Sequence, residues 1–140
     1  MNVTTTFPCG NGRILRADAE AIELELIAYS KGARYGCLRI SEVADAREQL
    51  LILRPDSQFG TPSFGHKFQC RIWVRAGLDA PWKALSETKV ERTPEAVHAR
   101  IPLLPGEVCH VATEIPRPYA ETTAELVALT RTHPDRVELH

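Results

Sequence analysis

Ala21-Ile22-Glu23-Leu24-Glu25-Leu26-Ile27-Ala28 decides the fold of this chain. Ile22, Leu24 and Leu26 alternate with Glu23 and Glu25, a repeat of two residues and not the roughly 3.6 of a helix. In an extended strand this alternation sends the apolar side chains to one face and the carboxylates to the other. A register shifted by one would bury Glu23 and Glu25, so the pattern fixes which face is dry.

The same period appears further along. Over Lys67–Arg75, Phe68, Cys70, Ile72 and Val74 share one predicted face; Lys67, Gln69, Arg71, Trp73 and Arg75 share the other. Val97, Ala99 and Ile101 alternate with His98 and Arg100. Shorter candidates are Gly12–Leu15, Gly36–Ile40, Leu50–Leu53, Trp82–Leu85, Thr88–Glu91 and Val108–Thr113. Between them lie turn formers: Ser30-Lys31-Gly32, Pro55-Asp56-Ser57, Gly60-Thr61-Pro62, Gly77-Leu78-Asp79 and Pro105-Gly106. Glu42–Gln49 reads equally well as a helical turn or a polar loop. Short strands at this spacing predict an all-β chain, an antiparallel β-sandwich of about eight or nine strands.

The pattern changes after Pro118. Thr122 and Glu125 have the spacing of a capping box, Leu126, Val127 and Leu129 follow at helical spacing, and Pro134 stops the run. One C-terminal helix over about Thr122–His133 is expected.

At 140 residues the chain has the size of one domain, able to bury a core without metal or disulfide staples. Apolar residues make up 44% and the formal net charge is −1, so there is no basic excess to neutralise phosphates and nucleic acid is not an expected partner. Met1–Pro8 has no basic segment leading into an apolar run, and no stretch is long enough to cross a bilayer. A cytoplasmic protein without a membrane partner is expected. Cys9, Cys37, Cys70 and Cys109 lack the close spacing of zinc ribbons and redox pairs, and buried free thiols are the preferred reading.

The sequence offers no catalytic residue and no metal or cofactor ligand. None of the five histidines, His66, His98, His110, His133 and His140, has Glu three residues later, as a zinc hydrolase of the His-x-x-Glu type requires. His98 and His110 lie on separate predicted strands that could be neighbours, although ordinary surface or hydrogen-bonded histidines are the preferred reading. Gly60-Thr61-Pro62-Ser63-Phe64-Gly65 is one residue too long for a Gly-x-Ser-x-Gly elbow, and Pro62 disrupts the turn. Gly10-Asn11-Gly12 lacks a following phosphate-loop Lys and reads as a turn. Trp73, Trp82 and Tyr35 are the notable aromatics, and Trp73 with Arg71 and Arg75 stands out, because tryptophan and arginine are enriched at interface hot spots. A protein interface, a sugar-stacking platform and packing beneath a second layer all remain open for this group.

Taken in order, several segments resemble the N-terminal domain of the cytosolic-carboxypeptidase branch of zinc metallocarboxypeptidases. Phe7-Pro8-Cys9-Gly10-Asn11-Gly12 is similar to that family's opening Phe-x-x-Gly-Asn. Tyr35-Gly36-Cys37-Leu38-Arg39-Ile40 resembles its Trp-Phe-Tyr-Phe-Arg-Val strand, with fewer aromatics. Val111-Ala112-Thr113-Glu114-Ile115-Pro116-Arg117-Pro118-Tyr119 resembles its Phe-Ala-x-x-x-Pro-Tyr-Ser/Thr passage, with Ala120 in place of the hydroxyl residue.

The resemblance implies a β-sandwich accessory domain over 1–118, and over 119–140 a helix and linker that begin a missing catalytic domain. It implies no enzyme activity and no cofactor for this chain alone, with zinc expected in that missing domain. The expected partner is the chain's own catalytic domain, whose access the sandwich shapes. Interface residues are then Trp73, Arg71, Arg75, Tyr119, Leu126 and Leu129, with self-association through the C-terminal helix where the catalytic domain is absent. The alternative is a free-standing β-sandwich binding module for carbohydrate or protein.

Overall fold

The computed structural model describes residues 1–30, 33–56 and 62–115, and side chains outside 28–34 within them. Twelve strands are described: β1 (Asn2–Thr4), β2 (Arg13–Ala17), β3 (Ile22–Glu25), β4 (Ile27–Ser30), β5 (Ala33–Tyr35), β6 (Cys37–Ser41), β7 (Arg47–Arg54), β8 (Trp73–Ala76), β9 (Lys83–Ala84), β10 (Val90–Arg92), β11 (Val97–Leu103) and β12 (Cys109–Ala112). Among these residues one short α-helix, α1, spans Phe64–Lys67, and a 3-10 turn spans Glu87–Lys89. The chain is thus mostly β, as expected, with more and shorter strands than the sequence suggests. The predicted C-terminal helix and the boundary at residue 118 lie outside the described residues.

Two five-stranded sheets form, ordered β1-β6-β12-β8-β9 and β10-β11-β7-β3-β2, with β4 and β5 paired apart from both. Their apolar faces meet in one core cluster. Leu38 and Ile40 from β6 and Cys109 and Val111 from β12 share it with Ile22, Leu24, Leu51, Leu53, Val97, Ala99 and Ile101 from the second sheet. The dry face expected for Ile22, Leu24, Leu26, Val97 and Ile101 is the one observed, since all five are buried. Among the described residues all ladders but one are antiparallel; β3 runs parallel to β7, with Ile22 opposite Leu51 and Leu24 opposite Leu53.

The segment at residues 21–28 is not one strand. It breaks at Leu26, which is fully buried and whose N–H donates to the Arg54 carbonyl at 2.9 Å, where β7 ends. Beyond it the chain leaves the second sheet and pairs as β4 with β5, Ile27 lying opposite Tyr35. On the wet face of β3, Glu23 accepts from Arg54 at 2.6 Å and Glu25 from Arg13 at 3.3 Å.

Lys67–Arg75 departs further from the expected strand. Its first residue closes α1, and only Trp73–Ala76 joins a ladder. The period of two nevertheless survives in packing: Ile72 is buried, and Phe68, Cys70 and Val74 lie half-buried against the core. The reason is Arg92 on β10. Its guanidinium donates to the Phe68 carbonyl and, at 2.9 Å, to the Cys70 carbonyl. One side chain thereby satisfies backbone acceptors that a neighbouring strand would otherwise take.

Arg92→Lys keeps the charge but loses the planar fork, so it is expected to lower stability by about 2 kcal/mol, the scale of charge-assisted hydrogen bonds left unmade. Glu87→Gln serves as control. That carboxylate stands 4.0 Å from Arg92 and is 63% exposed, so its loss should change stability by less than about 0.5 kcal/mol. Urea unfolding of the two variants gives the comparison.

Candidate protein interface

β12 is the central strand of the first sheet, with β6 on one side and β8 on the other. The register places His110 opposite Arg39 of β6 and opposite Arg75 of β8. Since Cys109 and Val111 point into the core, His110 points away from it, and its cross-strand neighbours share that outer face. Arg39, His110 and Arg75 therefore form one row across three strands. The next row brings Cys37, Ala112 and Trp73 together, with Ala84 of β9 beyond Trp73.

Two aromatic rings from outside the row frame it. The Arg39 guanidinium lies over Phe7 at 4.9 Å from the ring centroid, and that of Arg75 over Trp82 at 5.1 Å. Phe7 and Trp82 each also meet the His110 ring edge-on, at 5.4 and 6.2 Å between centroids. Enclosed in this way, His110 is only 3% exposed, while both arginines and both aromatics are half-buried.

The electrostatics are lopsided. Arg75 Nη2 donates to His110 Nδ1 at 3.4 Å, which leaves Nε2 to carry the proton of the neutral ring. Burial first, then the charges of Arg75 and Arg39, push the His110 pKa down to about 4. Among the described residues no carboxylate pairs with Arg39 or Arg75. Arg75 Nε is shielded from solvent and finds no acceptor among the described residues.

Of the expected interface residues, the structure brings Trp73 and Arg75 to this face in adjacent rows. Arg71 is exposed but precedes β8 and takes no place in the ladder. Tyr119, Leu126 and Leu129 lie outside the described residues. Trp82, one of the aromatics notable in the sequence, joins this face, whereas Phe7, Arg39 and His110 escape sequence reasoning as its members because three separate segments supply them. The outward alternation of Arg39 in β6 is the one local signal.

His98 and His110 do not meet: His98 sits on β11 opposite Glu91 and Ile52 in the second sheet, whereas β12 belongs to the first. Among the described residues no group of three His, Cys, Asp or Glu side chains is placed to hold a metal ion. Ser63 is exposed at the start of α1, and Gly65 is wedged under the carbonyls of Thr93 and Ala96, so the glycine there serves packing. All four cysteines are free thiols. Burial pushes Cys70 and Cys109 up to about 12 and Cys37 up to about 11, far from the thiolate a nucleophile needs. No helix among the described residues is long and apolar enough to cross a membrane.

No protein-family model matches the chain, and no curated protein sequence matches it. Solved structures with a similar fold include a metallo-carboxypeptidase from Pseudomonas aeruginosa in complex with (2-guanidinoethylmercapto)succinic acid. It aligns over 94% of this chain and 34% of its own, at 18% identity and a TM-score of 0.68. A metallo-carboxypeptidase from Burkholderia cenocepacia aligns over 93% of this chain and 33% of its own, at 15% identity and a TM-score of 0.68. The chain thus spans about a third of the length of the solved structures it resembles.

Proposed function

We propose that this chain is the non-catalytic N-terminal accessory domain of a zinc carboxypeptidase of the cytosolic-carboxypeptidase branch. The supporting observation is the asymmetry of the fold match: nearly all of this chain corresponds to about a third of each metallo-carboxypeptidase. On this reading the chain is a β-sandwich that docks beside a catalytic domain and shapes access to its active site. Residues 119–140 begin that domain, and the parent protein is cytoplasmic. The docking surface is the outer face of the first sheet, where Trp73 and Arg75 lie. Tryptophan and arginine supply the large, stackable area that dominates stable interfaces.

Metal analysis tests the division of labour. A zinc site needs three or four ligands converging at about 2.0–2.3 Å. The chain purified without chelator is expected to retain no zinc through dialysis and to release no amino acid from peptide C-termini. One equivalent of zinc retained, or measurable release abolished by a chelator, contradicts the reading.

A further inference from the structure

We propose that Arg39 and Arg75, on either side of His110, form a carboxylate-binding site that takes an Asp or Glu side chain of the protein surface docking on this face. The identity of the docking surface rests on the accessory-domain reading; the site itself rests on the geometry.

Three observations carry it. The first is spacing. Arg39 and Arg75 are each the direct cross-strand neighbour of His110, so their Cα atoms stand roughly 10 Å apart, two inter-strand spacings. Two arginine stems rooted at that distance can reach one carboxylate docked on the outer side of the row, beyond the rings that cover the imidazole. Phe7 and Trp82 hold the guanidinium planes and reduce the rotamer freedom that binding would otherwise cost.

The second is charge. No carboxylate among the described residues pairs with either guanidinium, although the chain carries 18 acidic residues and uses several to pair Arg13, Arg16 and Arg54. The third is His110. A neutral ring keeps the row at two positive charges and leaves the forks as the principal donors to an anion. Arg39 from β6 and Arg75 from β8 are the charged groups facing it; Phe7 and Trp82 complete its surroundings. A side-chain carboxylate suits the site better than a sugar hydroxyl, because the forks donate two parallel bonds to a planar acceptor and Arg75 already covers the Trp82 ring.

The test uses the whole chain and N-acetyl-glutamate N-methylamide as probe, followed by NMR at the Trp82 indole and the His110 ring. Saturable shifts of both signals are expected, weakening as salt rises, with the His110 pKa moving upward as the probe saturates. Arg39→Gln and Arg75→Gln should each weaken binding at least tenfold. Arg39→Lys keeps the charge and most of the stem on Phe7, and so guards against a folding defect; it should retain binding at a few-fold cost. Equal shifts with N-acetyl-glutamine N-methylamide, unchanged affinity in both glutamine variants, or tighter binding of inorganic phosphate than of the glutamate probe would overturn the proposal. Failure here leaves the accessory-domain reading standing. Conversely, binding by this chain is measured without any catalytic domain, so it survives if that reading falls.

Discussion

Leu38→Ala is expected to destabilise the fold by about 2–5 kcal/mol, the range for truncating a large apolar side chain in a packed core. Leu38 lies on β6 opposite Val111 of β12, is fully buried, and belongs to the cluster both sheets share. Leu51 and Leu53 approach that cluster from the second sheet. Strand backbones held by ladders on both sides cannot collapse into the space, so the cavity cost adds to the lost transfer energy. A domain of this size has a total stability of roughly 5–15 kcal/mol, and the loss is a large fraction of it. Leu78→Ala is the control: that side chain is 63% exposed beyond β8, and its removal should stay within about 0.5 kcal/mol. Urea denaturation midpoints should differ between the variants while the slopes remain equal.

The second large effect is a pH dependence centred on His110. Its folded pKa, about 4, lies below the ordinary 6.5, so between those values the unfolded chain binds the proton and the folded chain does not. Stability therefore falls as pH drops from about 6.5 to about 4 and levels off below, where both states are protonated. The shift corresponds to a loss on the order of 3 kcal/mol. Burial is the main cause, with the Arg75 and Arg39 charges adding to it. His110→Gln removes the titration and keeps a neutral polar group, so the difference between the unaltered chain and this variant should shrink or change sign across that window. A constant difference from pH 7 to pH 4 would show that His110 titrates normally in the folded state.

Much of the fold is legible because period-two alternation records burial directly. Ile22, Leu24 and Leu26, and likewise Val97, Ala99 and Ile101, announce their inner faces without any tertiary information. What alternation cannot record is the partner of each strand. The break at Leu26 depends on where β7 ends. The irregular run before Trp73 depends on a guanidinium that β10 contributes. β11 and β12 are consecutive in the chain yet join different sheets, which is why His98 and His110 lie apart. The candidate interface is half legible for the same reason. Trp73 and Arg75 alternate outward within one segment, whereas Arg39 and His110 join them only through the register of β6, β12 and β8.

The nucleotide sequence of the reading frame that follows the His140 codon tests the central claim most directly. The accessory-domain account predicts an open frame carrying a His-x-x-Glu pair and, well downstream, a third histidine to complete a zinc site with an open position for water. A stop codon immediately after His140 would contradict it and leave the free-standing binding module as the better account.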